Sequence, residues 1–175
     1  QLNLFDAFAG SSVVSRLFTK YANTLYSNDM EPYSYIMTSC FIDTPSNDKK
    51  ETIKFHIDKM NELIEEGPFK EGIICKYYSP KETEYIQEGE RCFYTRENAL
   101  IIDTLRDYID TYVYPDLFSY CITPLLIQAS IHVNTSGQFK GFYKNKETGK
   151  LEFCHTLFNT CLATPRFLAL LLENH

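Results

Sequence analysis

The chain has 175 residues, 44% of them hydrophobic and 23% charged, with seven Gly and seven Pro. It is one domain in size, and the collagen-like, low-complexity and globally disordered classes are excluded. Lys and Arg number 17 against 23 Asp and Glu, a formal net charge of −6, which argues against nucleic-acid and anionic-membrane partners, whose binding rests on basic residues meeting phosphates.

In chain order, Val13, Val14, Leu17, Phe18, Tyr21 and Leu25 recur at helical spacing. They predict a helix over 11–27 with Ser11 or Ser12 as its N-cap. Residues 33–43 are rich in aromatic and β-branched side chains and show no helical stripe, so they read as a strand. Asp48 and Glu51 have capping-box spacing, and Ile53, Ile57, Met60 and Ile64 form an apolar stripe. They predict a helix that Gly67-Pro68 closes. Short strands are expected at 72–78 and 91–94, on either side of a charged loop over 80–89. Ala99, Ile102, Leu105, Ile109 and Tyr112 predict a second helix over 96–113, capped by Thr95.

Beyond Pro115 the chain is uncharged from Leu117 to Phe139. Its dense apolar part, 121–133, is too short for a span of roughly 20 residues and reads as buried core. Residues 126–133 fit a buried strand. With the alternating segments at 139–144 and 151–153, and turns at 134–137 and 146–149, they suggest a C-terminal antiparallel meander. Thr164-Pro165 opens a last helix that is apolar on every face over 167–172, and such a helix must be covered.

Six cysteines, Cys40, Cys75, Cys92, Cys121, Cys154 and Cys161, are scattered without metal-ligand spacing. Two readings are open: three disulfides in an oxidising compartment, or six buried thiols in a reducing one. A start at Gln1, as after removal of a signal peptide, and an N-glycosylation acceptor at Asn134 favour the first.

Among the chemistry-bearing residues, His56 reads as a surface or boundary residue, and His132 and His155 as strand residues. Asp103, Asp107 and Asp110 lie near one another on a helix, Asp103 and Asp107 on the face opposite its apolar stripe, and Arg106 can pair with Asp103 or Asp110. No nucleophile elbow, Gly-rich phosphate loop or metal motif is recognised. The expectation is no catalytic residue, no cofactor and no metal, and the sequence leans away from an enzyme. The 13 Tyr and 13 Phe, without Trp, allow an interface. Tyr33, Tyr35, Tyr77 and Tyr78, with Phe167, Leu168 and Leu171 of the last helix, are its candidate residues.

The resulting expectation is a single α+β domain over 1–175, three to four helices on a small antiparallel sheet with the C-terminal meander, stapled by disulfides; an all-α fold is the alternative. Functionally it is a secreted, extracellular glycoprotein that binds a protein partner or itself. A carrier of a small apolar ligand or lipid, or a hydrolase with a site assembled from distant residues, are the alternatives. No nucleic acid and no transmembrane segment are expected.

Overall fold

The computed structural model describes residues 2–135. Their contacts group into two compact units, divided at Lys50/Glu51, and each is described by itself.

The first unit is built on strand β1 (Leu2–Asp6), helix α1 (Val13–Phe18), strand β2 (Ala22–Ser27) and helix α2 (Pro32–Ile42). β1 and β2 pair in parallel, with Leu4 opposite Leu25, Phe5 opposite Tyr26 and Asp6 opposite Ser27. Parallel strands need a crossover, and α1 with its flanking loops supplies it. The helix expected over 11–27 therefore ends at Phe18, and its later stripe members Tyr21 and Leu25 belong to the turn and to β2. The apolar spacing carries on by coincidence into a segment that pairing with β1 draws into the sheet. Residues 33–43, expected as a strand, form α2: Pro32 at its first turn presets the helical φ. The apolar residues of α2 lie all round the helix, so no stripe marks it.

The second unit is helical. Helix α3 (Asn47–Glu66) begins at the boundary and fills the expected span, with Ser46 rather than Asp48 at its cap. Gly67 closes it at φ +70° and donates to the Leu63 carbonyl. Residues 73–78 form helix α4 (Ile73–Tyr78), not a strand, and 91–94 form no strand either. Helix α5 (Arg96–Tyr112) matches the expected helix, and the Thr95 side chain accepts from the Asn98 amide at its start. Helix α6 (Phe118–Ile131) carries Pro124 inside it and takes in most of the expected strand 126–133. The core joins Met60, Leu105, Ile109, Cys121, Ile122 and Leu125 from α3, α5 and α6. Cys75, Tyr94 and Ala99 form a second cluster.

The fold is thus rich in helix, with a parallel two-stranded sheet in place of an antiparallel one; that pair also departs from the all-α alternative. The first meander strand is helical, and the segments at 139–144 and 151–153, the helix from Thr164, and Phe167, Leu168 and Leu171 lie outside the described residues. Cys154 and Cys161 lie there too. Among the described residues no disulfide is formed by Cys40, Cys75, Cys92 or Cys121. Cys75, Cys92 and Cys121 are buried, as small apolar side chains are. No described helix is long and apolar enough to cross a membrane.

Candidate functional site at the strand ends

Asp6 ends β1 and Ser27 ends β2, side by side in the parallel register. Ser15 of α1, fully buried, donates to Asp6 Oδ2 at 2.6 Å and lies 2.6 Å from Ser27 Oγ. A hydroxyl carries one hydrogen, so Ser27 donates in turn to Ser15. This chain of three side chains pins both strand ends to the crossover helix. Above it run two loops, 7–12 after β1 and 28–31 after β2. They are stitched together by hydrogen bonds: the Asn28 amide donates to the Asp6 carbonyl at 2.8 Å, the Ala9 amide to the Asn28 carbonyl at 2.9 Å, and the Asn28 carboxamide to the Ala7 carbonyl at 3.1 Å. Open sheets of parallel strands bind ligands in this place, outside the carboxyl ends of the strands.

Asp29 closes the site. Its Oδ2 accepts from the Gly10 amide at 2.8 Å and its Oδ1 from the Glu31 amide at 3.0 Å. The amides of Glu31, Gly10 and Met30 hold its carboxyl below the usual carboxylate range, so it is ionised at neutral pH. A carboxylate offers about four acceptor positions, more than these amides fill, so it can still accept from a donor of a ligand. Gly10 has φ +53°, and a Cβ placed there would meet no atom within 4 Å. The loop surface is therefore open to close approach at that point. Phe8 is 88% exposed and Met30 94% exposed, so two large apolar side chains next to the bonded residues are nearly uncovered by the described residues. The arrangement can take a ligand with a hydroxyl donor and an apolar ring.

None of these residues stands out in the sequence. Their signal is a short strand-like segment with Leu2, Leu4 and Phe5, leading into Ala7, Ala9, Gly10, Ser11 and Ser12, with an acid at Asp29, about twenty residues past Gly10, as in dinucleotide sites. One glycine is present where such motifs carry several, which hides it.

The residues singled out from the sequence fall elsewhere. His56 is buried, not a surface residue, with Nδ1 3.0 Å from the Tyr108 hydroxyl. His132 follows α6 and is exposed, and His155 lies outside the described residues. Asp103 is not on a solvated face: it is buried and accepts the amides of Gly72 at 2.8 Å, Ile74 at 3.0 Å and Cys75 at 2.8 Å. Asp107 pairs with Lys70, and Arg106 with Asp110 at 2.9 Å. Asn134 is buried, and its carboxamide donates to the Cys92 carbonyl at 2.9 Å while its amide reaches the Phe93 carbonyl. A glycan cannot be attached to a side chain so enclosed. Tyr33 and Tyr35 are exposed on α2 and Tyr77 on α4, while Tyr78 packs on Phe93 at 5.8 Å. The helical unit holds a groove of about 420 Å³ among α3, α5 and α6, lined by Met60, Ile101 and Leu125 with Asn98, Gln128 and His132 among its polar members. Among the described residues no cluster of His, Cys, Asp and Glu suits a metal ion.

Comparison with known proteins now bears on this site. The profile of a family described as D12 class N6 adenine-specific DNA methyltransferase matches residues 2–161. The chain is 28% identical over 153 residues to the type II methyltransferase M.NlaIII of Neisseria lactamica, covering 84% of this chain and 42% of that protein. It is 28% identical over 142 residues to the type II methyltransferase M.CviAII of Paramecium bursaria Chlorella virus 1, covering 79% of this chain and 40% of that protein. The chain thus spans about two fifths of the length of these curated relatives. No solved structure matches it significantly. The family match overturns the expectation of a secreted, extracellular, non-catalytic glycoprotein, together with the carrier and hydrolase alternatives and the exclusion of nucleic acid. The net charge of −6 is an average over the whole chain, whereas phosphate contacts are local, so it does not exclude a nucleic-acid partner.

Proposed function

Because the chain belongs to the D12 class N6 adenine-specific DNA methyltransferase family, we propose that loop 7–12 and Asp29 bind S-adenosylmethionine and that the protein serves methylation of adenine in DNA. The observation that carries this reading is the tie of Gly10 to Asp29 across the carboxyl ends of two parallel strands. S-adenosylmethionine supplies an electrophilic methyl group on sulfur. The remaining acceptor capacity of Asp29 would receive a ribose hydroxyl, as the acid of a dinucleotide fold does. The bare Gly10 backbone lets the ligand approach without a Cβ in its way. Phe8 and Met30 offer exposed apolar area for the adenine ring.

Calorimetric titration of the protein with S-adenosylmethionine tests this. Asp29→Ala removes a charged acceptor, and charge-assisted bonds of this kind correspond to a loss of at least about tenfold in affinity. Saturable binding by the native protein with that loss supports the reading. A native protein that does not bind, or an Asp29→Ala variant that binds as well as the native one, removes it.

A further inference from the structure

Ser12 is the one non-glycine residue with positive φ among the described residues, at φ +64° and ψ +20°. An L-residue with a Cβ is strained there, and such strain persists only where the surroundings hold it. Ser12 is fully buried, and its amide donates to the Ala9 carbonyl at 2.7 Å. Its hydroxyl is hydrogen-bonded to the Thr38 hydroxyl of α2. Thr38 is therefore a tether from a helix outside the loop to the strained residue that ends it. Ser34 lies one turn earlier on the same helix face, is fully buried, and its hydroxyl has no hydrogen-bond partner among the described residues. The neighbouring hydroxyl on that face thus contributes no second tether.

We infer that Thr38 is a positioning residue: by holding Ser12 in the left-handed conformation it keeps loop 7–12 in the shape that presents the Gly10 backbone beside Asp29. The inference rests on the binding reading above for its functional consequence. Its structural half stands apart, because the bond from Gly10 to Asp29 can be followed without ligand. Thr38 touches no proposed ligand group; it acts through Ser12.

The test compares Thr38→Val, Ser12→Gly, the double variant and Ser34→Ala. Two readouts are used: calorimetric affinity for S-adenosylmethionine and hydrogen exchange of the Gly10 and Ser12 amides in the free protein. Losing one net hydrogen bond corresponds to about a fivefold change. Thr38→Val is expected to weaken binding and speed exchange of both amides by about that factor, with the thermal midpoint little changed. Glycine reaches φ +64° without a Cβ penalty, so Ser12→Gly does not need the tether, and the double variant is expected to regain native affinity and protection. Ser34→Ala, which removes an unpartnered hydroxyl, leaves both readouts as in the native protein. Native exchange and affinity in Thr38→Val, or a double variant no better than Thr38→Val, overturns the inference. If no protein binds S-adenosylmethionine, the binding reading fails, and the exchange data still decide whether Thr38 positions the loop.

Discussion

Replacing Asp103 by Ala strips helix α4 of the acceptor that starts it. The carboxylate comes from α5 and takes three consecutive-turn amides, those of Gly72, Ile74 and Cys75. The Cys75 amide is buried, and leaving it without an acceptor costs about 1–3 kcal/mol. Gly72 and Ile74 are more exposed, so water can replace the carboxylate there at about 1 kcal/mol each. The sum is roughly 3–5 kcal/mol, which at about 2–4 °C per kcal/mol for a chain of this size lowers the melting midpoint by about 6–20 °C. Urea unfolding followed by far-ultraviolet circular dichroism measures it. A second variant checks the geometry. A Cβ on Gly72 would lie 2.7 Å from Asp103 Cγ and Oδ1, and the carboxylate cannot swing away because three amides hold it. Gly72→Ala is therefore expected to cost about 1–3 kcal/mol in the native background and much less when Asp103 is already Ala. A loss under about 0.5 kcal/mol for Asp103→Ala, or additive effects in the pair, would refute the argument, since coupling is the signature of direct contact.

Three further outcomes are expected. Thr95→Ala removes the side chain that accepts from the Asn98 amide and should lower stability by about 1 kcal/mol in the same urea assay, the usual worth of an N-cap. Cys75 is buried, and burial first, then the Asp103 carboxylate, pushes its thiol up to about 11; its alkylation at pH 8 should be far slower in the native protein than after unfolding, as counted by mass spectrometry. Asp29 is held below its ordinary value by amides, so its grip on Gly10 is complete above the unfolded carboxylate range and is lost as pH falls through the lowered folded value. Exchange protection of the Gly10 amide, corrected for intrinsic rates, should drop in acid in the native protein and show no such step in Asp29→Asn.

The helices whose signals are local were legible without a structure. Thr95 lies next to the helix it caps, and the stripes of α3 and α5 repeat within one segment, so their spans follow from neighbours in sequence. Elements whose deciding partner is remote were not legible in the sequence. α4 starts on a carboxylate some thirty residues downstream, and β2 is a strand because β1, about twenty residues earlier, offers it a ladder. The uncharged 117–133 segment is apolar on several sides, so periodicity could not separate a buried strand from α6.

The candidate site was hidden for the same reason. Asp6, Gly10, Ser12, Ser15 and Asp29 have no motif spacing strong enough to stand out singly, and their chemistry arises only when the parallel register brings the two strand ends together. Composition by itself determined that the chain folds around an apolar core, and local periodicity determined α3 and α5. Only the tertiary structure decided that Asp29 meets Gly10, that Asp103 is buried rather than solvated, and that Asn134 is enclosed. These are contacts between residues far apart in sequence, and no local free-energy preference encodes them until the chain has closed the loops between them.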